Sequence, residues 1–195
     1  TNLSEELLKF MSEPFLNVDF KNLKFSSKNE FSFKINNKFK VSDYKVESSL
    51  NINELLVKND LNLKNIFPNF KSDIKLKDHQ TEIVFKKNYF SINGSGEFLV
   101  QKNYDKANYK IEKKASEHLF DIKINVKDNP VSFGFLNYES DYKSKTILEL
   151  NGKYSEDKTL DFKKIRFENG IDLILINNLQ LSNDFKIFNL KSAIF

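Results

Sequence analysis

Along most of this chain, apolar and polar residues alternate one by one. The clearest stretch is Thr81 to Val100, TEIVFKKNYFSINGSGEFLV. Ile83 and Phe85 alternate with Glu82, Val84 and Lys86, and Phe90 and Ile92 alternate with Tyr89, Ser91 and Asn93. Lys87-Asn88 reads as a turn between them. Gly94 and Gly96 interrupt the run before Phe98 and Val100 resume the same period. A two-residue period sets one apolar row on one face of a pleated sheet.

The same hairpin grammar fills most of the remainder. Val18, Phe20, Leu23 and Phe25 lead to an expected turn at Ser26-Ser27-Lys28-Asn29, and Phe31, Phe33 and Ile35 to another at Asn36-Asn37. Phe39, Val41, Tyr44 and Val46 follow, with a bulge or turn at Ser42-Asp43. Asn53 to Lys58 reads as a short helix capped by Asn53, while Leu61, Leu63 and Ile66 read equally well as a strand, and Pro68 ends whichever forms. Ile74 and Leu76 form a strand that ends at an Asp78-His79 turn. Ala107, Tyr109 and Ile111 alternate, then Phe120, Ile122, Ile124 and Val126, then Val131, Phe133 and Phe135 after the turn at Asp128-Asn129-Pro130. Further turns are expected at Asn151-Gly152 and Glu168-Asn169-Gly170. Leu173 to Ile176, apolar on both faces, predicts a strand covered on both. The one helical signal is Asn2 to Ser12, with Glu5 in capping-box spacing from Asn2, an apolar stripe of Leu3, Leu7, Leu8 and Met11, and Pro14 to stop it.

The predicted class is therefore all-β, mostly antiparallel, with a short N-terminal helix (1–13) before a β region (15–195). About fourteen short strands must curl or split into two layers, so a long curled sheet and a two-layer β-sandwich both fit. A faint echo links Asp19-Phe20-Lys21-Asn22-Leu23-Lys24-Phe25 with Asp161-Phe162-Lys163-Lys164-Ile165-Arg166-Phe167, each followed by an Asn-Asn pair. It suggests either a repeated hairpin unit or chance in a chain rich in Lys, Phe and Asn.

Composition narrows the function classes. The 195 residues fit one large domain or two small ones. With no cysteine, disulfides and thiol chemistry are excluded. No apolar run is long enough to span a bilayer, so the piece is expected to be soluble and part of something longer. The net charge of +4 is carried almost wholly by Lys, with Arg166 the lone Arg. Base and phosphate readers lean on Arg, so the interleaved Lys and aromatics read as an amphipathic sheet rather than a nucleic-acid platform. Twenty Phe and no Trp call for a core or groove large enough to take them.

No catalytic constellation emerges. His79 and His118 each follow a carboxylate but lack metal-ligand spacing, and read as surface turn residues. Gly94-Ser95-Gly96 lacks the Lys and the helix of a phosphate loop, and Ser95 lacks the frame of a nucleophile elbow. Glycine at a β-bulge or tight bend is the expected role. No enzyme activity, cofactor or metal is expected.

Four passages resemble the AsmA-like superfamily, closest to its YhdP/TamB type of envelope protein. They are Ile66-Phe67-Pro68-Asn69-Phe70 leading to Ile74-Lys75-Leu76, Phe90 to Phe98 with its strand, G-x-G, strand step, Phe135-Leu136-Asn137-Tyr138, and Asn177-Asn178-Leu179-Gln180-Leu181-Ser182. The resemblance implies an internal segment of a periplasmic β-groove protein, anchored in the inner membrane as a full-length chain. Phospholipid acyl chains slide along such a groove between inner and outer membranes. It also implies adjacent β-groove segments and membrane proteins at either end as partners, and no nucleic acid. Under it, the groove lining is Phe31, Phe33, Ile35, Ile83, Phe85, Phe90, Ile92, Phe98, Val100, Phe120, Ile122, Ile124, Phe133 and Phe135. The alternative is a structural or adhesion-type β-sandwich module without lipid.

Overall fold

Every element of the computed structural model is a strand among the residues it describes, which are 17–39, 41–58, 64, 67–114, 117–133, 137–140, 143–155, 159–182 and 186–195. The expected helix at 1–13 lies outside them. Ten strands form one antiparallel sheet: β1 (Asn17–Ile35), β2 (Val41–Lys58), β3 (Asp73–Lys86), β4 (Tyr89–Leu99), β5 (Asp105–Lys114), β6 (Glu117–Val126), β9 (Thr146–Ser155), β10 (Leu160–Asn169), β11 (Asp172–Leu181) and β12 (Ile187–Ile194), in that spatial order. The connection from β6 to β9 carries a separate small hairpin, β7 (Ser132–Phe133) with β8 (Tyr138–Glu139). Among the described residues β1 and β12 each have one sheet neighbour, so the sheet is open and the two-layer sandwich is not what forms.

The sheet curls because several strands carry an extra residue. In β3, Lys77 faces Glu97 and Gln80 faces Ser95, so Asp78 and His79 together oppose Gly96. Asp78 takes a left-handed φ of 51°. Such a bulge raises the local twist and bends the strand. It also switches parity: Ile74 and Leu76 share a face with His79, Thr81, Ile83 and Phe85. β2 follows β3 without slippage, so its inward row passes from Ile52 to Leu55. A second bulge sets Lys163 as the extra residue of β10 opposite Asn151 and Gly152. Phe70 contacts both the cluster of Phe98, Val100 and Ala107 and the cluster around Phe167 and Ile176. The middle strands β4 and β5 are thereby joined to β10 and β11 through one side chain.

Several sequence expectations are corrected. Ser26 to Asn29 do not turn: they pair with Asn51 to Ser48 inside a 19-residue β1. Asn53 to Lys58 are strand. Asn151-Gly152 lies within β9, and β4 runs unbroken through Gly94 and Gly96, the bulge being on the strand opposite. Asn169 pairs with Asp172, so the β10–β11 turn is Gly170-Ile171, with Gly170 at φ 61°. Leu173 is exposed while Ile174 and Ile176 are buried, so β11 is covered on one face only. Asn36-Asn37 begins a hairpin connection whereas Asn177-Asn178 sits inside β11, so the echo marks no equivalent pair of units. Ser26 to Asn29 and Asn151-Gly152 favour a turn locally but are held extended by ladder partners, on one side at β1 and on both sides at β9. Fewer, longer strands result. Asn36-Asn37, the Ser42 bulge and Lys87-Asn88 fall where the pattern sets them.

Candidate functional site

The inner face is built of cross-strand rows. One runs Ile83, Ile92, Ile111, Phe120, Gly152, Phe162, Leu179 and Leu190, each paired with the next. A second runs Thr81, Gly94, Tyr109, Ile122, Leu150, Ile165, Ile176 and Ala193. A third runs Ala107, Ile124, Leu148, Phe167 and Ile174. Paired side chains on one face stand within contact of one another, so the rows make a continuous apolar surface. Phe120 and Phe162 meet edge to face across Gly152, with ring centres 5.6 Å apart. A Cβ at Gly152 would meet Phe120 at 2.8 Å.

Most predicted lining residues share this face. Phe85, Ile92, Phe120, Ile122 and Ile124 are half-buried there, and Ile83, Phe90 and Phe98 are buried. Val100 lies just past the end of β4 and is buried beside Phe98 and Ala107. Phe31, Phe33 and Ile35 continue the face onto edge strand β1, where they are exposed. Phe133 is placed differently. It belongs to the small β7–β8 hairpin and packs edge to face on Phe167 at 5.1 Å, as a plug on the inner face rather than part of its wall. Phe135 lies outside the described residues.

The plug occupies one end of the face because the long connections gather there. Phe67 and Phe70 come from the β2–β3 connection, and Val131, Phe133 and Tyr138 from the β6–β9 connection. Buried amides tie these loops together. Gln101 donates to the Pro130 carbonyl (2.9 Å) and accepts from the Asn69 N–H (3.1 Å). Asn129 donates to Asp105 Oδ2 (2.8 Å) and to the Asn103 carbonyl (2.9 Å). Asp105 Oδ1 accepts from the Lys127 N–H at 2.7 Å. Burial pushes the Asp105 carboxyl up to about 6, against the pull of the Lys127 and Asn129 bonds.

A second polar group sits mid-face. His79 is 2% exposed and inward-pointing, which corrects its reading as a surface turn residue. His118 is likewise in mid-sheet, half-buried in β6. The His79 Nε2 lies 2.9 Å from the Glu97 carbonyl, which can only accept, so Nε2 carries the proton. Nδ1 then accepts from the Tyr109 hydroxyl at 3.1 Å, and that oxygen accepts from Thr81 Oγ1 at 3.1 Å. Burial lowers the His79 pKa, outweighing the Glu97 carbonyl and Asp78, which raise it. The cluster holds a neutral imidazole with both nitrogens satisfied, and its geometry offers no nucleophile. Gly94 and Gly96 exist to admit it: a Cβ at Gly94 would meet the Tyr109 hydroxyl at 2.7 Å, and one at Gly96 would overlap the His79 ring. The period count that identifies Ile83 and Phe85 as inward also reaches Thr81 and His79, and that signal was available in the sequence.

Among the described residues no group of three or more His, Cys, Asp or Glu is placed to hold a metal ion, and no helix is long and apolar enough to cross a membrane. Comparison with protein-family models, with curated proteins and with solved structures finds no match.

Proposed function

We propose that this chain is a non-enzymatic segment of a lipid-holding or lipid-conducting β-groove, acting on phospholipid acyl chains. The observation that supports this reading most is the uninterrupted apolar row Ile83, Ile92, Ile111, Phe120, which stays only half-buried at Ile92 and Phe120. Such a row binds an acyl chain by non-directional burial, about 0.8 kcal/mol per CH₂ removed from water. The resemblance to AsmA-like envelope proteins adds the setting: the periplasm, with the full-length protein anchored in the inner membrane and further groove segments adjoining. A structural module without lipid is the second reading, favoured by the buried aromatic plug around Phe167.

Native mass spectrometry of the chain purified without detergent, with lipid extraction, tests the two. Phospholipid at a reproducible stoichiometry is expected. Ile122→Asp should abolish its uptake while leaving the far-ultraviolet spectrum unchanged. A lipid-free protein that ignores added phospholipid, and that unfolds on Ile122→Asp, overturns the groove.

A further inference from the structure

The face opposite the groove carries a hollow of its own. It lies where Lys163 enters β10 as an extra residue and where Asn178 on β11 takes a left-handed φ of 51°. Leu119, Lys153, Asp161, Gln180 and Asn189 run through it on adjacent strands, each paired with the next. Their chain neighbours Phe120, Gly152, Phe162, Leu179 and Leu190 form a row of the groove, so by ladder parity this row faces away from it. Lys163 and Asn178 also line the hollow and are exposed, and its volume is about 400 Å³.

One group in the hollow is left unsatisfied. Asp161 is half-buried, and its Oδ1 is shielded from solvent with no hydrogen-bond partner among the described residues. Lys153, its ladder neighbour, reaches the other way, to Glu117 on β6 at 2.6 Å. A carboxylate oxygen cut off from water and given no donor destabilises the fold that holds it. A donor brought by a ligand accounts for its being kept. Rotation about the Cβ–Cγ bond, a soft torsion in aspartate, presents either oxygen to the hollow.

The lining narrows the ligand. Asp161 is the one carboxylate among the described residues that line the hollow, and Lys153 and Lys163 stand with it. Two lysines disfavour a metal cation, and the carboxylate disfavours an anion. The amides of Asn178, Gln180 and Asn189 offer donors and acceptors together. A sugar hydroxyl is donor and acceptor at one atom, so it can donate to Asp161 while accepting from an amide or from Lys163. Leu119 adds an apolar contact for the C–H face of a sugar ring, and the volume is within the range of small-molecule sites. We infer that this hollow is a subsite for a neutral polyhydroxyl ligand, a mono- or disaccharide unit. It lies on the opposite face from the groove and does not rest on the acyl-chain reading.

The first half of the test needs no ligand. Asp161→Asn keeps the side chain's shape and removes the unpaired charge, so its urea midpoint should equal or exceed that of the wild type. A lower midpoint, or a variant that does not fold, would show that the carboxylate has a structural partner and would sink the subsite. The second half titrates the isotope-labelled chain with glucose, galactose, N-acetylglucosamine and maltose and follows the side-chain amide resonances. At least one sugar should shift the Asn178, Gln180 and Asn189 signals and saturate. Asp161→Asn should weaken that sugar roughly tenfold, the worth of one charge-assisted hydrogen bond. No shift with any of the four sugars, or binding that Asp161→Asn leaves unchanged, overturns the inference. So do shifts at the same signals with calcium chloride or sodium phosphate and none with a sugar, which would mark a cation or an anion site. The groove reading stands in every case, because Asp161 is on the other face.

Discussion

The plugged end and edge strand β1 carry the same sequence pattern and opposite environments. Phe167 alternates with polar neighbours on β10 as Phe31 and Phe33 do on β1. Yet Phe167 is fully buried, ringed by Phe133 and Tyr138, while Phe31 and Phe33 are 65% and 64% exposed. Alternation assigns a side chain to a face. How deep that face lies depends on neighbours arriving from elsewhere in the chain: among the described residues, parts of two long connections cover one end, and Phe31 and Phe33 are left exposed. The hydrophobic contribution follows the area removed from water, not the pattern.

That contrast can be broken by substitution. Phe167→Ala should cost about 3–5 kcal/mol, as large-to-small changes in cores do, whereas Phe31→Ala should stay within about 0.5 kcal/mol, as exposed changes do. Urea unfolding of the two variants gives both numbers, and equal losses would mean that β1 is covered in solution. Next in size is Gly96→Ala, which drives a methyl into the His79 ring and should cost about 1–3 kcal/mol as overpacking does. His79→Ser in the same chain should recover much of it, a coupling that a double-mutant cycle reads directly.

Gln101→Ala should follow, at about 1–3 kcal/mol, because it strands the Asn69 N–H and the Pro130 carbonyl. Amide exchange should quicken in residues 67–70 and 127–133 while the β1–β2 ladder is unchanged. Loss of protection spread evenly over the sheet would show that the plug and the sheet open together.

The smallest effect is on pH dependence, and it divides by region. Asp105, at the plugged end, has its folded pKa raised from 3.8 to about 6. The folded state therefore holds that proton more tightly, and its contribution is full below about pH 4 and is lost as pH rises through 6. His79, mid-face, has its folded pKa lowered from 6.5. Its contribution is present above pH 6.5 and declines as pH falls below it. The two slope in opposite directions below about pH 6, so each partly offsets the other in the wild type. Asp105→Asn and His79→Gln should tilt the curve in opposite directions. A tilt of the same sign in both would overturn these assignments.

Much of this was legible in the sequence. The inward identity of Ile83, Phe85, Phe90, Ile92, Phe120, Ile122 and Ile124 follows from a count of two. Hidden were the bulges at Asp78 and Lys163, since a bulge shows only as a change of parity between partners whose pairing is unknown. The same count turns His79 inward, but its depth was hidden, since that depends on a gap left by Gly96 on another strand and a hydroxyl from Tyr109 on a third. Phe133 looked like one more wall residue because a two-residue period cannot tell a wall strand from a hairpin folded over it.

The amino-acid sequence by itself determined that this chain is all-β and that its strands carry one apolar face. Those properties follow from side-chain period and backbone preference, which are local. Tertiary structure alone decided that, among the described residues, ten strands join in one open sheet, that one end is plugged while β1 is exposed, and that a histidine and an aspartate are buried within it. Register, curl and cover are set by pairings between residues tens of positions apart, and no local pattern encodes which partner a strand will meet.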